Sequence, residues 1–301
     1  MLSESILFDQ ELSADDQDFQ HSRFALIFPQ LLSLIRQDSA AMVSPFWWKV
    51  NQRLEREFVP CPPWNFLRNE TIQQMMFVGD YGYTGIEFAA LKKAIPSYSL
   101  IPLLTESAIG CPATATLDGI VTSGNTVHMA HHIVRFLEET KIDPYGLKTI
   151  LEFGGGYGKM CQLWKRINPD LTYIIIDTRL FACVQAMYLS CILGPRKVHV
   201  LSNKDVGIET GKINIVPLAA VGAIQGDVDL FVSTWALSES PAACLNYVAS
   251  KDAWGAKHFL MAHQNASQDF PMADEIKCLV DAPGFYHKAI DFIPGNSYIF
   301  A

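Results

Sequence analysis

From residue 148 onward, short apolar runs alternate with segments of helical period. That pattern predicts a parallel sheet with crossover helices, an α/β fold. Residues 149–153 predict the first strand, followed by a helix to about Ile167. Residues 173–176 predict the second strand, and a helix runs from about Leu180 to Leu193. Later strands fall on residues 228–233 and 258–262, and residues 286–293 and 297–300 form a terminal hairpin around Pro294-Gly295-Asn296. Residues 197–201 and 213–216 both read as strands, of which only one need join the central sheet.

The first 125 residues lack this alternation and read as a mainly helical module. Phe24, Leu26, Ile27, Leu31, Leu32 and Ile35 keep roughly helical spacing, with Pro29 expected to kink or split the helix. Aromatic residues gather at Phe46, Trp47, Trp48, Trp64, Phe66, Phe77, Tyr81 and Tyr83, either lining an acceptor pocket or packing between modules. A helix opening at Asn125 or Thr126 and ending near Thr140 carries Ala130, Ile133, Val134 and Leu137 as its apolar stripe. The division is therefore residues 1–125, serving acceptor binding, a lid or oligomerisation, and a ligand-binding core over residues 126–301.

Net charge is −8, from 23 basic and 31 acidic residues. Such a surface repels phosphate backbones, and no basic patch is visible, so nucleic acid is not the expected partner. No apolar run reaches the about 20 residues that span a bilayer, and the amino terminus lacks a basic segment followed by an apolar one. The expected location is the cytoplasm. Seven scattered cysteines without a C-x-x-C pair argue for reduced core thiols, against a disulfide framework or structural zinc.

The chemistry concentrates at Glu152-Phe153-Gly154-Gly155-Gly156-Tyr157-Gly158, directly after the first strand. A dinucleotide fingerprint needs G-x-G-x-x-G/A, but the last position is Lys159 or Cys161 in the two available registers. A phosphate-cradling loop fails as well, with Phe153 and Met160 at its required positions. The remaining form is an acid-x-G-x-G-x-G loop. Its carboxylate suits a ligand with a cationic end and would repel a pyrophosphate. Asp177, at the end of the second strand, can accept hydrogen bonds from both hydroxyls of a ribose.

On these residues the chain resembles the class I S-adenosylmethionine-dependent methyltransferases, and among them the sugar O-methyltransferases. The shared features are Leu151-Glu152-x-Gly154-Gly155-Gly156-Tyr157-Gly158 and Tyr173-Ile174-Ile175-Ile176-Asp177. The likeness continues at Leu237-x-Glu239 after the fourth strand, where that family usually has methionine next and this chain has Ser240. Upstream, Glu106 through Gly110-Cys111-Pro112 resembles the family's approach to the core. The second departure is Thr178-Arg179 after the acid, where that family often has proline at the second place.

The resemblance implies a Rossmann-like class I methyltransferase sheet, mostly parallel with a terminal antiparallel hairpin. S-adenosyl-L-methionine would be held by Glu152, Gly154, Gly155, Gly156, Tyr157, Gly158, Asp177, Thr178, Ser233 and Thr234. The implied activity is O-methylation of a sugar or glycosylated small molecule, with a homo-oligomer compatible. The alternative is a noncatalytic methyltransferase-like binding module.

A hydroxyl acceptor profits from a positioned base. His263 follows the strand over residues 258–262 and is expected at the crevice, the alternative being a surface histidine. Glu239 would orient a base or an acceptor hydroxyl, or favour a helix amino terminus. His128, His131 and His132 share the helix face opposite the apolar stripe, which predicts either a solvated face or packing against the amino-terminal module. The strand ends do not gather the carboxylates a divalent cation prefers, so no metal is expected.

Overall fold

The computed structural model describes residues 7–8, 12–35, 37–76, 82–202, 207–280 and 284–301. Phe77, Gly79 and Tyr81 of the aromatic stretch lie outside them. After the short strand β1 (Leu7–Phe8), the amino-terminal part builds α1 (Ala14–Leu34), α2 (Pro45–Phe58), α3 (Glu70–Met76), α4 (Thr84–Ala94) and α5 (Ser97–Leu104). Ser13 caps α1 by accepting the Asp16 N–H at 3.2 Å. Pro29 neither splits nor ends α1, in contrast to the expected break. The buried stripe Phe24, Phe28 and Leu31 straddles the proline, and packing on both sides of it holds the helix together.

The same part also holds strands that helical periodicity does not predict. β2 (Thr114–Leu117) and β3 (Ile120–Thr122) pair antiparallel, with β1 along the edge of β2. Their turn is Asp118-Gly119, both at positive φ (47° and 81°), the geometry that suits a two-residue hairpin.

Ser123 then accepts the Thr126 N–H at 3.1 Å and opens α6 (Gly124–Thr140). The core follows as β4 (Thr149–Phe153), α7 (Lys159–Ile167), β5 (Thr172–Asp177), α8 (Arg179–Leu193), β6 (Val198–Val200), β7 (Ile213–Pro217) and β8 (Leu230–Thr234). It closes with α9 (Ala242–Ser250), β9 (His258–Gln264), β10 (Tyr286–Ala289) and β11 (Asn296–Phe300).

These strands form one sheet in the order β10-β11-β9-β8-β4-β5-β7-β6. Both ambiguous segments belong to it, since β6 and β7 pair in parallel. Of the neighbours in this sheet, β11 alone meets its two partners antiparallel. This is a Rossmann-like, mostly parallel sheet that ends in an antiparallel hairpin, with helices around it and a mainly helical amino-terminal part.

Period-two alternation splits the core between the two sheet faces. Ile150, Tyr173, Ile175, Leu230 and Val232 pack with α1, α6 and α8 on one face. Leu151, Phe153, Ile174, Ile176 and Phe231 pack on the other, with Leu245 and Val248 of α9. The strand order reverses around β4, so its loop opens where the carboxyl ends of β5 and β8 diverge. That is where the cavity lies.

Candidate active site

The cavity and its open mouth together span about 990 Å³. Glu152, Gly154, Gly155, Gly156 and Tyr157 line its floor, Asp177 and Thr178 one side, and Thr234 and Glu239 the other. Ser233, Gly158 and His263 do not line it.

At Gly154, φ is +81°, and a Cβ would collide with that of Ala236 on the segment after β8. At Gly156, φ is +56°, and a Cβ would sit 2.5 Å from the Met76 sulfur. Side chains at these two points would clash with Ala236 and Met76, themselves cavity-lining residues, so the turn requires glycine there. Gly158, also in the left-handed region, starts α7 and packs on Leu189 away from the cavity.

Glu152 accepts a hydrogen bond from the Tyr173 hydroxyl at 2.9 Å and is 2% exposed. Burial pushes its pKa up to about 8; the tyrosine bond opposes this and the Asp177 charge adds to it. Asp177 is likewise raised, to about 7, by burial, against the lowering effect of its hydrogen bonds. Those bonds come from the Thr178 N–H at 2.8 Å and Gln185 Nε2 at 2.7 Å. Gln185 also donates to the Gly156 carbonyl at 2.8 Å, which ties the acid to the glycine loop. Nothing in the sequence pattern singles out Gln185, because its role exists only where α8 crosses that loop.

Glu239 takes the Trp47 indole N–H at 3.0 Å and Gln264 Nε2 at 3.3 Å. Burial raises it to about 7, partly offset by the Trp47 bond. Three desolvated carboxylates therefore face one cavity. Lys159, the cation in the lining, is already paired with Glu106 at 2.7 Å, both side chains being 2% exposed. A cationic ligand would relieve the cost of ionising these acids.

The segment around residues 42–47 and the end of α3 reach directly over this opening. The Arg179 N–H donates to both Asp38 oxygens (2.9 and 3.1 Å), and its guanidinium meets Glu55 at 3.1 Å. These contacts dock α2 beside Thr178, whose hydroxyl donates to Asn51 at 3.4 Å. Trp47 of α2 thereby bridges the two sides, packing edge-on against Phe181 at 5.8 Å while it donates to Glu239. Of the aromatic stretch, Trp47 alone among the described residues joins the lining.

Besides Gly158, two other expected site residues stand off the cavity. His263 does not reach the crevice: it is 2% exposed, its Nδ1 lies 3.4 Å from the Gln264 carbonyl, and its ring meets His287 at 6.2 Å. β11 pairs with β9 through Ser297 opposite His263, so the hairpin covers this strand end. Ser233 is wholly buried and braces the turn, accepting the Leu237 N–H at 3.0 Å and donating to the Phe153 carbonyl at 3.3 Å.

The α6 histidines are buried, not solvated, and pack against the amino-terminal part. His128 Nδ1 lies 2.6 Å from Glu87 of α4, and its Nε2 lies 3.0 Å from His132 Nε2. His132 Nδ1 reaches the Tyr298 hydroxyl at 2.6 Å. Burial pushes His131 down to about 3 and His132 in the same direction, so both stay neutral. His128 stacks on Trp235 (5.5 Å, 19°), a cavity residue held at φ +64° by its N–H to Ala262 O and its indole to Asn296. Left-handed backbone is costly for a bulky side chain, and such strain gathers at working sites.

No family profile and no curated protein matches the chain. Solved structures that resemble it include the mitomycin 7-O-methyltransferase MmcR, at 12% identity and TM-score 0.37, over 59% of this chain and 56% of that one. The pyocyanin biosynthetic protein PhzM resembles it at 15% identity and TM-score 0.39, over 79% of this chain and 72% of that one. Magnesium protoporphyrin IX methyltransferase (ChlM) from Synechocystis PCC 6803, with bound SAM, does so at 14% identity and TM-score 0.38, over 57% and 77%. The match thus spans little more than half of the mitomycin enzyme.

Proposed function

We propose that this protein is an S-adenosylmethionine-dependent O-methyltransferase acting on a hydroxyl of a small molecule. The observation that carries this reading is the cavity itself, where buried Glu152 and half-buried Asp177 flank a loop of glycines whose backbone lines it. Glu152 suits the cofactor's cationic amino-acid end and Asp177 its ribose hydroxyls, with Gly154, Gly155, Gly156, Tyr157, Thr178 and Thr234 around them. Leu218, which follows β7, lies in the same wall and suits the adenine face. When bound, the cofactor supplies an electrophilic methyl carbon: a bond forms to the acceptor oxygen as the bond to sulfur breaks, and that electron pair returns to sulfur.

The protein's share is to hold the acceptor, exclude water and take its proton. Glu239 serves as that base, because it lines the cavity and keeps its proton affinity near neutrality. Residues 1–125 contribute the acceptor wall and the cover over the site. The sequence resemblance alone points to a sugar as that small molecule. Among the described residues no helix is long and apolar enough to cross a membrane, and no group of three or more His, Cys, Asp or Glu is arranged to hold a metal.

S-adenosylhomocysteine should raise the melting temperature, whereas NADH and ATP should not. At a concentration 100 times Kd, the gain is about 2.7 kcal/mol. Stabilisation by NADH alone would overturn the reading, and transfer of labelled methyl to a hydroxyl compound would complete it.

A further inference from the structure

Once the glycine loop, Glu152, Asp177, Thr178 and Thr234 are given to the cofactor, the remaining wall consists chiefly of Met42, Met75, Met129, Trp47, Trp235 and Glu239. Its other polar side chains are engaged by the protein. Asn125 accepts from the Tyr157 hydroxyl at 2.8 Å and donates to the Met76 carbonyl. Ser44 accepts the Trp47 N–H at 3.4 Å as the cap of α2, and Ser240 donates to the Ala236 carbonyl at 2.8 Å. Resting on the methyltransferase reading of this cavity, we propose that the acceptor is an aromatic compound bearing an acidic hydroxyl, a phenol or fused-ring analogue, and not a sugar.

A buried sugar brings several hydroxyls, each costly without a partner. Thioethers are weak acceptors and indole faces offer none, so this wall leaves such hydroxyls unmatched. The same groups suit an aromatic ring. Flexible thioethers mould to its edge, and indoles pack against it edge-on or offset. One polar function is matched, the hydroxyl that meets Glu239, whose two partners, Trp47 and Gln264, are both neutral donors.

Proton affinity agrees with this choice. Glu239 sits at about 7. A phenol ionises near 10, within reach of such a base. An aliphatic hydroxyl ionises far higher, toward the value of about 15.7 for water, and gains little from it.

The test uses the full chain saturated with S-adenosylhomocysteine, titrated with 7-hydroxycoumarin, 2-naphthol and methyl β-glucoside in a calorimeter. In parallel, coumarin excitation reports whether the bound probe is phenol or phenolate. The phenols should bind in the micromolar range and the glucoside should give no heat. Bound coumarin should be less ionised than free coumarin at the same pH, because the ionised Glu239 carboxylate repels phenolate and the weaker acid keeps the shared proton. Glu239→Gln should remove that suppression of ionisation, and Met129→Gln should weaken binding about tenfold by setting an amide against the ring.

Glucoside binding without binding of either phenol, with the homocysteine product bound, overturns the acceptor class and leaves the methyltransferase reading standing. Phenol binding that neither Glu239→Gln nor Met129→Gln alters also overturns the proposal, because the ring would then sit elsewhere. If S-adenosylhomocysteine itself fails to bind, both readings fall together.

Discussion

Replacing Glu239 with glutamine removes a charge that burial makes costly while nearly preserving the side chain's shape. In the unliganded protein the carboxyl sits at about 7, against 4.5 for an ordinary glutamate. An acid raised in this way burdens the folded state. The burden is absent below 4.5, where both states are protonated, grows as pH rises to about 7, and is constant beyond. At 1.36 kcal/mol per pKa unit, that gap corresponds to about 3 kcal/mol.

Glu239→Gln should therefore be more stable than the parent by about 2–3 kcal/mol in urea unfolding at pH 8, and nearly equal to it at pH 4.5. The amide oxygen can still accept the Trp47 indole N–H, so the wall should keep its geometry. The same substitution should lower kcat by about 10²–10⁴ and abolish the fall in rate that the parent shows below about pH 7. A stability difference equal at both pH values would show that the carboxylate is not desolvated. An unchanged kcat on a true acceptor would remove Glu239 from the mechanism.

Asp177→Ala should weaken S-adenosylhomocysteine by about 1.5–3 kcal/mol in calorimetry with the fold intact, since Gln185 retains its bond to Gly156. Unchanged affinity would reduce this acid to a bracket between Thr178 and Gln185. Lys159→Met should cost about 3–5 kcal/mol in denaturant because it strands the Glu106 carboxylate in the core, and adding Glu106→Gln should recover part of the loss. His263→Ala should leave kcat within about twofold, because the ring stands off the cavity, and a loss of 10² or more would place a base there.

Glu152, the glycines after it and Asp177 were legible in the sequence because their spacing is local: one strand, one loop, one strand end. The alternating strands and crossover helices were legible for the same reason, down to the bounds of β4 at Thr149 and Phe153. Local pattern also held the Asp118-Gly119 turn, passed over because the surrounding residues read as helical.

What lay beyond reach were the partners brought together across the chain. Trp47 and Glu239 are 192 residues apart, Lys159 and Glu106 53 apart, and His128 and Glu87 41 apart. No periodicity encodes which of two strand-end residues will be covered, so His263 and Glu239 looked alike until β11 closed over one and α2 leaned on the other. The amino-acid sequence by itself determined the sheet, its glycine loop and the acids beside it, since these follow from hydrogen-bonding period and neighbouring residues. The tertiary structure alone decided which side chains wall the cavity and which acids keep a proton near neutrality. Burial and pairing are properties of surroundings, and surroundings exist only once the chain has packed.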